Sequence, residues 1–269
     1  MKLKTDISTT TGPAYESVSI GLPDATETTI HVAVYPRRLF EPRVMVFPRA
    51  TRLLDWCGRT GHRYAMTGGF FSRSAARPLG RTWMSGLAVD AEPFGKDWSD
   101  ERGALFADGP EVKIAPLKDM PAEPRGDLLT AGPILVREGE SVVGLEYHYE
   151  GIPETWLGEL DDDWTELRAQ RTAIGLDADR FWSVAADGPV TGGSVREEAG
   201  LTIRELATVM EALGCTEALN LDGGGGSTLI FDGRLVNRPV AGTHDAGHSP
   251  GDPLKRGRPI HTAVVFEQK

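Results

Sequence analysis

Residues 218–228 read "ALNLDGGGGST", with four consecutive glycines, Gly223 to Gly226, directly after the carboxylate of Asp222. Inside a regular element each glycine costs about 0.5–1 kcal/mol relative to alanine, because it orders more backbone and packs nothing. Such a run belongs at a break between elements, where bare backbone is needed. Its flanks are β-like: "EALNL" (217–221) before it and "TLIF" (228–231) after it. That context excludes three glycine motifs. A Walker phosphate loop needs GxxxxGK[ST], and no lysine precedes Ser227. A dinucleotide fingerprint needs a helix to start at the glycines. A GxSxG nucleophile elbow is absent from the whole chain. Two readings remain. In one, the strand delivers Asn220 and Asp222 on the same side, since strand side chains alternate, and the glycine N–H groups approach a ligand anion closely. In the other, the run is a bulged turn between two strands, capped by Asp222.

The rest of the chain alternates short apolar segments with turn signals. "TTIHVAVYP" (28–36) and "RVMVFP" (43–48) read as strands, and "ATRLLDWCG" (50–58) as a helix that stops at Gly58. "ALFADGPEVKIA" (104–115) is a hairpin turning at Asp108-Gly109, and "DLLTAGPILVREGESVVG" (127–144) reads as two strands around a Glu-Gly turn. "RTAIGLDADRFWSVAADG" (171–188) is a further hairpin, turning near 177–180. "LTIRELATVMEALG" (201–214) carries an N-terminal capping box, Thr202 with Glu205, an apolar face at Ile203, Leu206, Met210 and Leu213, and a stop at Gly214. The acidic stretch "GELDDDWTEL" (158–167) reads as a solvated loop or helix start. "IHTAVVFE" (260–267) closes the chain as a strand.

Two stretches share one plan: "LLDWCGRTGHRYAMTGGFF" and "VMEALGCTEALNLDGGGGST" each run helix, glycine, short strand, Gly-Gly. Strand ends of bare backbone, brought together, make a cleft. No Pro-, Gly- or Ser-rich linker divides the chain, so the expectation is one α/β domain over residues 1–269. It is a mixed α+β arrangement with a mixed, largely antiparallel sheet, helices packed on it, and a pocket where these two strands end.

Composition narrows the partners. The net charge of −10 argues against a nucleic-acid or anionic-membrane surface, which needs a basic face. A few arginines in a pocket still suffice for a small anionic ligand. The N-terminal "MKLKTDISTTTGPAYESV" has no apolar stretch behind its basic residues, and no window approaches a membrane span, so a cytoplasmic location is expected. Cys57 and Cys215 read as two buried thiols in preference to one long-range disulfide, and neither has metal-ligand spacing.

Four ordered motifs, "RTAIG" (171–175), "AADG" (185–188), "GLTIRELA" (200–207) and "ALNLDGGGGST" (218–228), resemble those of the phosphodiester glycosidase family. "TGGFF" (67–71), "PLG" (78–80) and "AGPILV" (131–136) are similar to its earlier motifs. The resemblance covers roughly residues 60–266, with the strands and helix of 1–59 resembling the family only weakly. It implies a hydrolase that cleaves the sugar–phosphate C–O bond of a glycosyl-1-phosphodiester, or of a related nucleotide-linked or sugar-phosphate compound, without a cofactor. Alternatives on the same scaffold are a phosphodiesterase that breaks P–O and a non-catalytic sugar-phosphate binding protein.

On that resemblance, Asp222 is the carboxylate that works at the anomeric carbon, by stabilising an oxocarbenium-like transition state, attacking it, or activating water. Asp187 is a second carboxylate or an orienting partner, the alternative being a plain turn aspartate. Arg171 grips the phosphate through paired donors, or else forms a buried ion pair with Asp222 or Asp187. Asn220 binds a sugar hydroxyl or braces Asp222, and Arg258 adds a phosphate contact. Gly68, Gly69, Gly223, Gly224 and Gly225 supply close backbone approach, with Thr67 and Ser227 as further substrate contacts. Two positions depart from the family pattern: Thr67 stands where relatives carry Asn, and Gly226 where they carry Ser. Finally, "GTHDAGHSPGDPLKRGRPIH" (242–261) holds His244, Asp245, His248, Asp252 and His261. Such a set could ligate a metal, but its spacing matches no zinc motif, and the stretch reads rather as a surface loop or a substrate lid.

Overall fold

The computed structural model describes residues 11–72, 74–94, 102–143, 167–189, 198–242, 245, 247–249 and 251–269. The first strands are β1 (Ala14–Gly21), β2 (Glu27–Pro36) and β3 (Phe40–Arg52), followed by helix α1 (Leu53–Thr60). Then come β4 (Ala65–Thr67), β5 (Phe71–Ser72), β6 (Arg77–Pro78), β7 (Thr82–Met84), β8 (Leu87–Ala88), β9 (Gly103–Asp108) and β10 (Glu111–Pro116). The middle of the chain supplies β11 (Asp127–Thr130), β12 (Ile134–Arg137), β13 (Glu140–Ser141), β14 (Arg171–Leu176) and β15 (Arg180–Ala186). Helix α2 (Ile203–Ala212), β16 (Glu217–Asn220), β17 (Leu229–Phe231), β18 (Arg234–Leu235) and β19 (Pro259–Gln268) complete the order.

The strands form a seven-stranded sheet, β1-β2-β15-β14-β16-β12-β13, and two five-stranded sheets, β18-β17-β4-β19-β3 and β10-β9-β11-β7-β8, beside the β5–β6 ribbon. Every ladder between these strands is antiparallel. The expected α/β class with a mixed sheet and packed helices is therefore wrong. The protein is mostly β, with two α-helices among the described residues. The reason lies in how the faces are covered. Tight turns at Asp108-Gly109, Glu138-Gly139 and Asp232-Gly233, each with positive φ, fold the strands back on themselves. The sheets then bury one another.

Alternation along β2 shows the layering. Ile30, Val32 and Val34 point to the side covered by Ile203, Leu206 and Met210 of α2. Ala33 and Tyr35 point the other way, into a core shared with Met66, Leu105, Leu129 and Phe266 of the two smaller sheets. Helix α1 buries Leu53 and Cys57 against Ala65 and Val265 on the far face of the β18–β3 sheet. Each helix covers an outer face, and the central core lies between sheets. Cys57 and Cys215 are both buried free thiols.

Local chemistry sets the helix ends. Thr202 Oγ1 accepts the Glu205 N–H at 3.0 Å, and the Glu205 carboxylate accepts the Thr202 N–H at 2.9 Å, so the capping box is formed. Helix α1 does not stop at Gly58. It continues to Thr60 and ends at Gly61, whose φ of 80° carries the left-handed turn and whose N–H reaches the Cys57 carbonyl at 2.8 Å. The acidic stretch 158–166 and His244 lie outside the described residues.

Replacing Thr202 by Ala removes one capping acceptor and lowers stability by about 1 kcal/mol in equilibrium urea unfolding. No change in the midpoint would contradict the cap.

Candidate active site

The two glycine-ended strands meet, although they belong to different sheets. Beyond β16, the Leu221 N–H still bonds Thr172 O at 2.9 Å, as a ladder residue would. Asp222 then leaves the seven-stranded sheet: its N–H donates to the Gly68 carbonyl after β4 at 2.9 Å. Its own carbonyl accepts the Thr172 hydroxyl at 2.7 Å. With the backbone held from two sides, the carboxylate turns to Arg258, which stands just before β19, and Oδ2 lies 3.2 Å from Nη2.

Each of the four glycines has a separate cause. A Cβ at Gly223 would lie 2.8 Å from the Gln170 carbonyl. Gly224 has φ +57° and donates its N–H to that same carbonyl at 2.9 Å. A Cβ at Gly225 would sit 2.6 Å from Asp245 Oδ2, and one at Gly226 would sit 2.6 Å from Asp222 Oδ2 and 2.8 Å from Arg258 Nη2. Gly224–Gly226 form one 3-10 turn, in which the Gly226 and Ser227 amides bond back to Gly223 and Gly224. The bare surface of the turn thus packs against two acids, while several of its N–H groups are engaged locally.

Thr67 braces this turn. Its buried hydroxyl donates to the Gly226 carbonyl and accepts the Thr228 N–H at 3.0 Å. Gly68 and Gly69 run against β19 and β11, where added Cβ atoms would meet Thr262 backbone at 2.8 Å and Thr130 O at 2.7 Å. Arg258 is held between acids: Nη1 is 3.8 Å from Asp245 Oδ1, and the guanidinium lies 5.5 Å from the Phe71 ring centre.

Asn220 is fully buried and donates from Nδ2 to Gly132 O at 2.8 Å. Its Oδ1, Ser227 Oγ, Thr228 Oγ1 and Arg258 Nε are buried without a hydrogen-bond partner among the described residues. Leaving such an atom unpaired typically costs about 1–3 kcal/mol, and these stand on Arg258 itself or within a few residues of the glycine run, which suits the place to a polar ligand.

The other two charged residues expected at the site have partners of their own, although Arg171 Cδ lies 3.8 Å from where a Cβ on Gly223 would sit. Arg171 is buried, and its guanidinium donates to the carbonyls of Leu201 at 3.0 Å and Leu167 at 2.7 Å. Burial pulls it down from the usual arginine range to about 10. Asp187 follows β15, two strands away from β16 in the sheet. Its Oδ2 is 3.0 Å from His31 Nε2 and 3.2 Å from Arg238 Nε, and its Oδ1 accepts the Arg238 N–H at 2.8 Å. Arg238 Nη2 also reaches Glu198 at 2.5 Å, and His31 Nδ1 lies 2.8 Å from the Tyr15 hydroxyl. Burial pushes the Asp187 carboxyl up, but contacts with His31 and Arg238 outweigh it and hold the group below its ordinary value.

His31, Arg238, Glu198 and Tyr15 were not legible as site-forming residues, and Asp245 was legible only as a member of a candidate lid or metal-ligating stretch. His31 had one weak signal, an ionisable group on the inward phase of an apolar strand. Among the described residues no three His, Cys, Asp or Glu side chains are grouped to hold a metal ion. His261 is buried with its ring 5.1 Å from Phe71, and no described helix is long and apolar enough to cross a membrane.

Fold and site together define a protein of packed antiparallel sheets whose polar centre is a carboxylate–guanidinium–carboxylate group on a glycine turn. A family model described as phosphodiester glycosidase matches residues 60–267, and the chain belongs to that family. It is 27% identical over 200 residues to the Mus musculus N-acetylglucosamine-1-phosphodiester alpha-N-acetylglucosaminidase, covering 71% of this chain and 36% of that protein. The chain thus spans about a third of the length of that relative. Among solved structures, the zebrafish N-acetylglucosamine-1-phosphodiester alpha-N-acetylglucosaminidase catalytic domain, auto-inhibited by its pro-peptide, superposes with a TM-score of 0.70. The identity is 17%, and the match covers all of this chain and 87% of that one. A hypothetical protein from Synechocystis has a TM-score of 0.61 at 16% identity, over 96% of this chain and 62% of that chain.

Substituting Gly226 by Ala drives a methyl group into the Asp222–Arg258 contact and costs about 1–3 kcal/mol in thermal or chemical unfolding. Equal stability of Gly226→Ala and the wild type would show that the turn has slack the geometry denies. Asp187→Asn costs about 3 kcal/mol at pH 7, because His31 and Arg238 lose a buried charged partner. The folded carboxyl is depressed, so its contribution is present above the unfolded value and lost as pH falls through the folded one. Unfolding free energies followed below pH 4 should therefore drop less steeply in Asp187→Asn than in wild type.

Proposed function

We propose that this chain hydrolyses glycosyl-1-phosphodiesters, breaking the C–O bond between the anomeric carbon and the phosphate. The observation that carries this reading is the Asp222 carboxylate, fixed at the junction of two glycine-ended strands and held 3.2 Å from Arg258. Family membership and the name of the mouse relative, which specifies an alpha-linked sugar 1-phosphodiester, support the same substrate class.

The chemistry follows from these groups. As the glycosidic bond stretches, positive charge grows on the sugar ring and negative charge on the departing phosphate oxygen. Asp222 faces the first and stabilises the oxocarbenium-like state. Arg258 serves the second, since a guanidinium presents parallel donors to two phosphate oxygens. Such stabilisation of developing charge contributes several kcal/mol in a partly buried site. A phosphate monoester leaves readily, so protonation of the leaving group matters less than in an ordinary glycosidase. Asn220 Oδ1 and Ser227 Oγ, both without a partner among the described residues, bind sugar hydroxyls. Arg171, tied to the carbonyls of Leu167 and Leu201, braces the strand beside Asp222.

A panel of α-linked sugar-1-phosphodiesters tests the reading. Wild type is expected to turn over at least one, and Asp222→Asn to lower kcat by about 10²–10⁴-fold. In heavy-oxygen water the label should enter the sugar. Label in the phosphate would assign the cleavage to P–O, and equal rates in wild type and Asp222→Asn would remove Asp222 from the chemistry.

A further inference from the structure

The proposed hydrolysis requires a water to be activated as well as a cation to be stabilised, and the second carboxylate expected from the sequence is poorly placed for it. Asp187 is 1% exposed and both its oxygens are engaged by His31 and Arg238.

Another acid stands closer. Asp245 approaches the glycine turn so tightly that a Cβ on Gly225 would lie 2.6 Å from its Oδ2. Its side chain is 8% exposed, and Oδ1 faces Arg258 Nη1 at 3.8 Å. Oδ2 accepts the Gly242 N–H at 2.7 Å, which orients the carboxylate. The same guanidinium meets Asp222 through Nη2. One arginine therefore spans two carboxylates, and consecutive glycines, Gly225 and Gly226, make room for one acid each.

Two independent observations point to a ligand at this place. Ser227, next in the chain after Gly226, is fully buried and its hydroxyl has no partner among the described residues. Asn220, also fully buried, has an Oδ1 in the same condition. An acid pair needed only to neutralise Arg258 would not require unpaired polar groups on the strand before Asp222 and on the residue after Gly226.

We propose that Asp245 is a catalytic residue, the base that activates the attacking water, paired with Asp222 across Arg258. This rests on the glycosyl-phosphodiester reading above. In the step, the water oxygen bonds to the anomeric carbon as the C–O bond to phosphate breaks, and that electron pair leaves on the phosphate oxygen. The water proton goes to Asp245, which returns it to solvent. Asp222 stays ionised throughout. The arrangement is the two-carboxylate plan of glycoside hydrolysis, with phosphate replacing the leaving group that needs an acid.

The test uses the full chain and the diester that wild type turns over best. Asp245→Ala and Asp245→Asn should each lower kcat by about 10²–10⁴-fold with KM changed less than about threefold, while thermal unfolding shows both variants folded. Azide, a nucleophile that needs no base, should raise Asp245→Ala turnover at least about tenfold and yield a glycosyl azide. The effect should be absent in wild type. Either variant turning over within about threefold of wild type overturns the proposal, and so does a folded Asp245→Ala whose loss azide does not restore. If wild type cleaves no diester, the functional reading falls and takes this inference with it. If wild type is active and the variants are unimpaired, only the role of Asp245 falls.

Discussion

The Asp222–Arg258 contact exists because Gly226 has no side chain. A carboxylate and a guanidinium can close to 3.2 Å in many settings, but here the space between them and the turn is smaller than one methyl group. The backbone around them is over-determined. Asp222 is fixed by Gly68 and Thr172, Thr67 holds the Gly226 carbonyl, the Gly224 amide bonds the Gln170 carbonyl, and the Gly226 amide bonds back to Gly223. Those anchors come from two different sheets, so the site is a product of how the sheets pack. A shift of one sheet against the other would separate Asp222 from Gly68 before it disturbed either ladder.

Much of this was legible because it is local. Asp-Gly turns, the Thr202–Glu205 box and the strands on either side of the glycine run depend on residues a few positions apart, and their chemistry is written there. The Gly-Gly ends of two strands announced a junction, and Asp222 and Arg258 stood in motifs that draw attention to them. The class of the fold was not legible in the same way. Whether a strand's second face meets a helix or another sheet is decided by partners far along the chain, and one strong helix pattern weighed more than it should. Burial explains the remaining differences. Arg171 stands in a motif, yet nothing in "RTAIG" says that its guanidinium ends on two carbonyls. Asp245 lies in an aperiodic stretch, and its neighbour across space is a glycine, which leaves no mark of what it accommodates.

The two polar clusters divide the work physically. Around Asp187, a carboxylate, a histidine, a tyrosine and an arginine satisfy one another, and the depressed carboxyl shows that its charged form is the one the fold stabilises. Such a network holds β1, β2, β15 and the segment carrying Arg238 in register at one edge of the inter-sheet core. Around Asp222, in contrast, two carboxylates share one guanidinium, and several buried polar atoms have no partner among the described residues. A satisfied network rigidifies, and an unsatisfied one is available for binding.

The departure at position 226 then acquires a chemical meaning. A serine there would add a hydroxyl for a ligand but would push Asp222 and Arg258 apart. Glycine gives up that hydroxyl and allows the ion pair to close. On the proposed reaction, a phosphodiester must compete with Asp222 for Arg258, which weakens ground-state binding. The same competition turns to advantage as the bond breaks, because charge then accumulates on the phosphate and on the sugar at once. Arg258 is drawn toward the first while Asp222, freed from its partner and still ionised, meets the second. An interaction that grows between ground state and transition state accelerates the chemical step, whereas one of constant strength only tightens binding. The contacts of Arg258 with the phosphate and of Asp222 with the sugar, which replace the close pair as the bond breaks, are of the first kind.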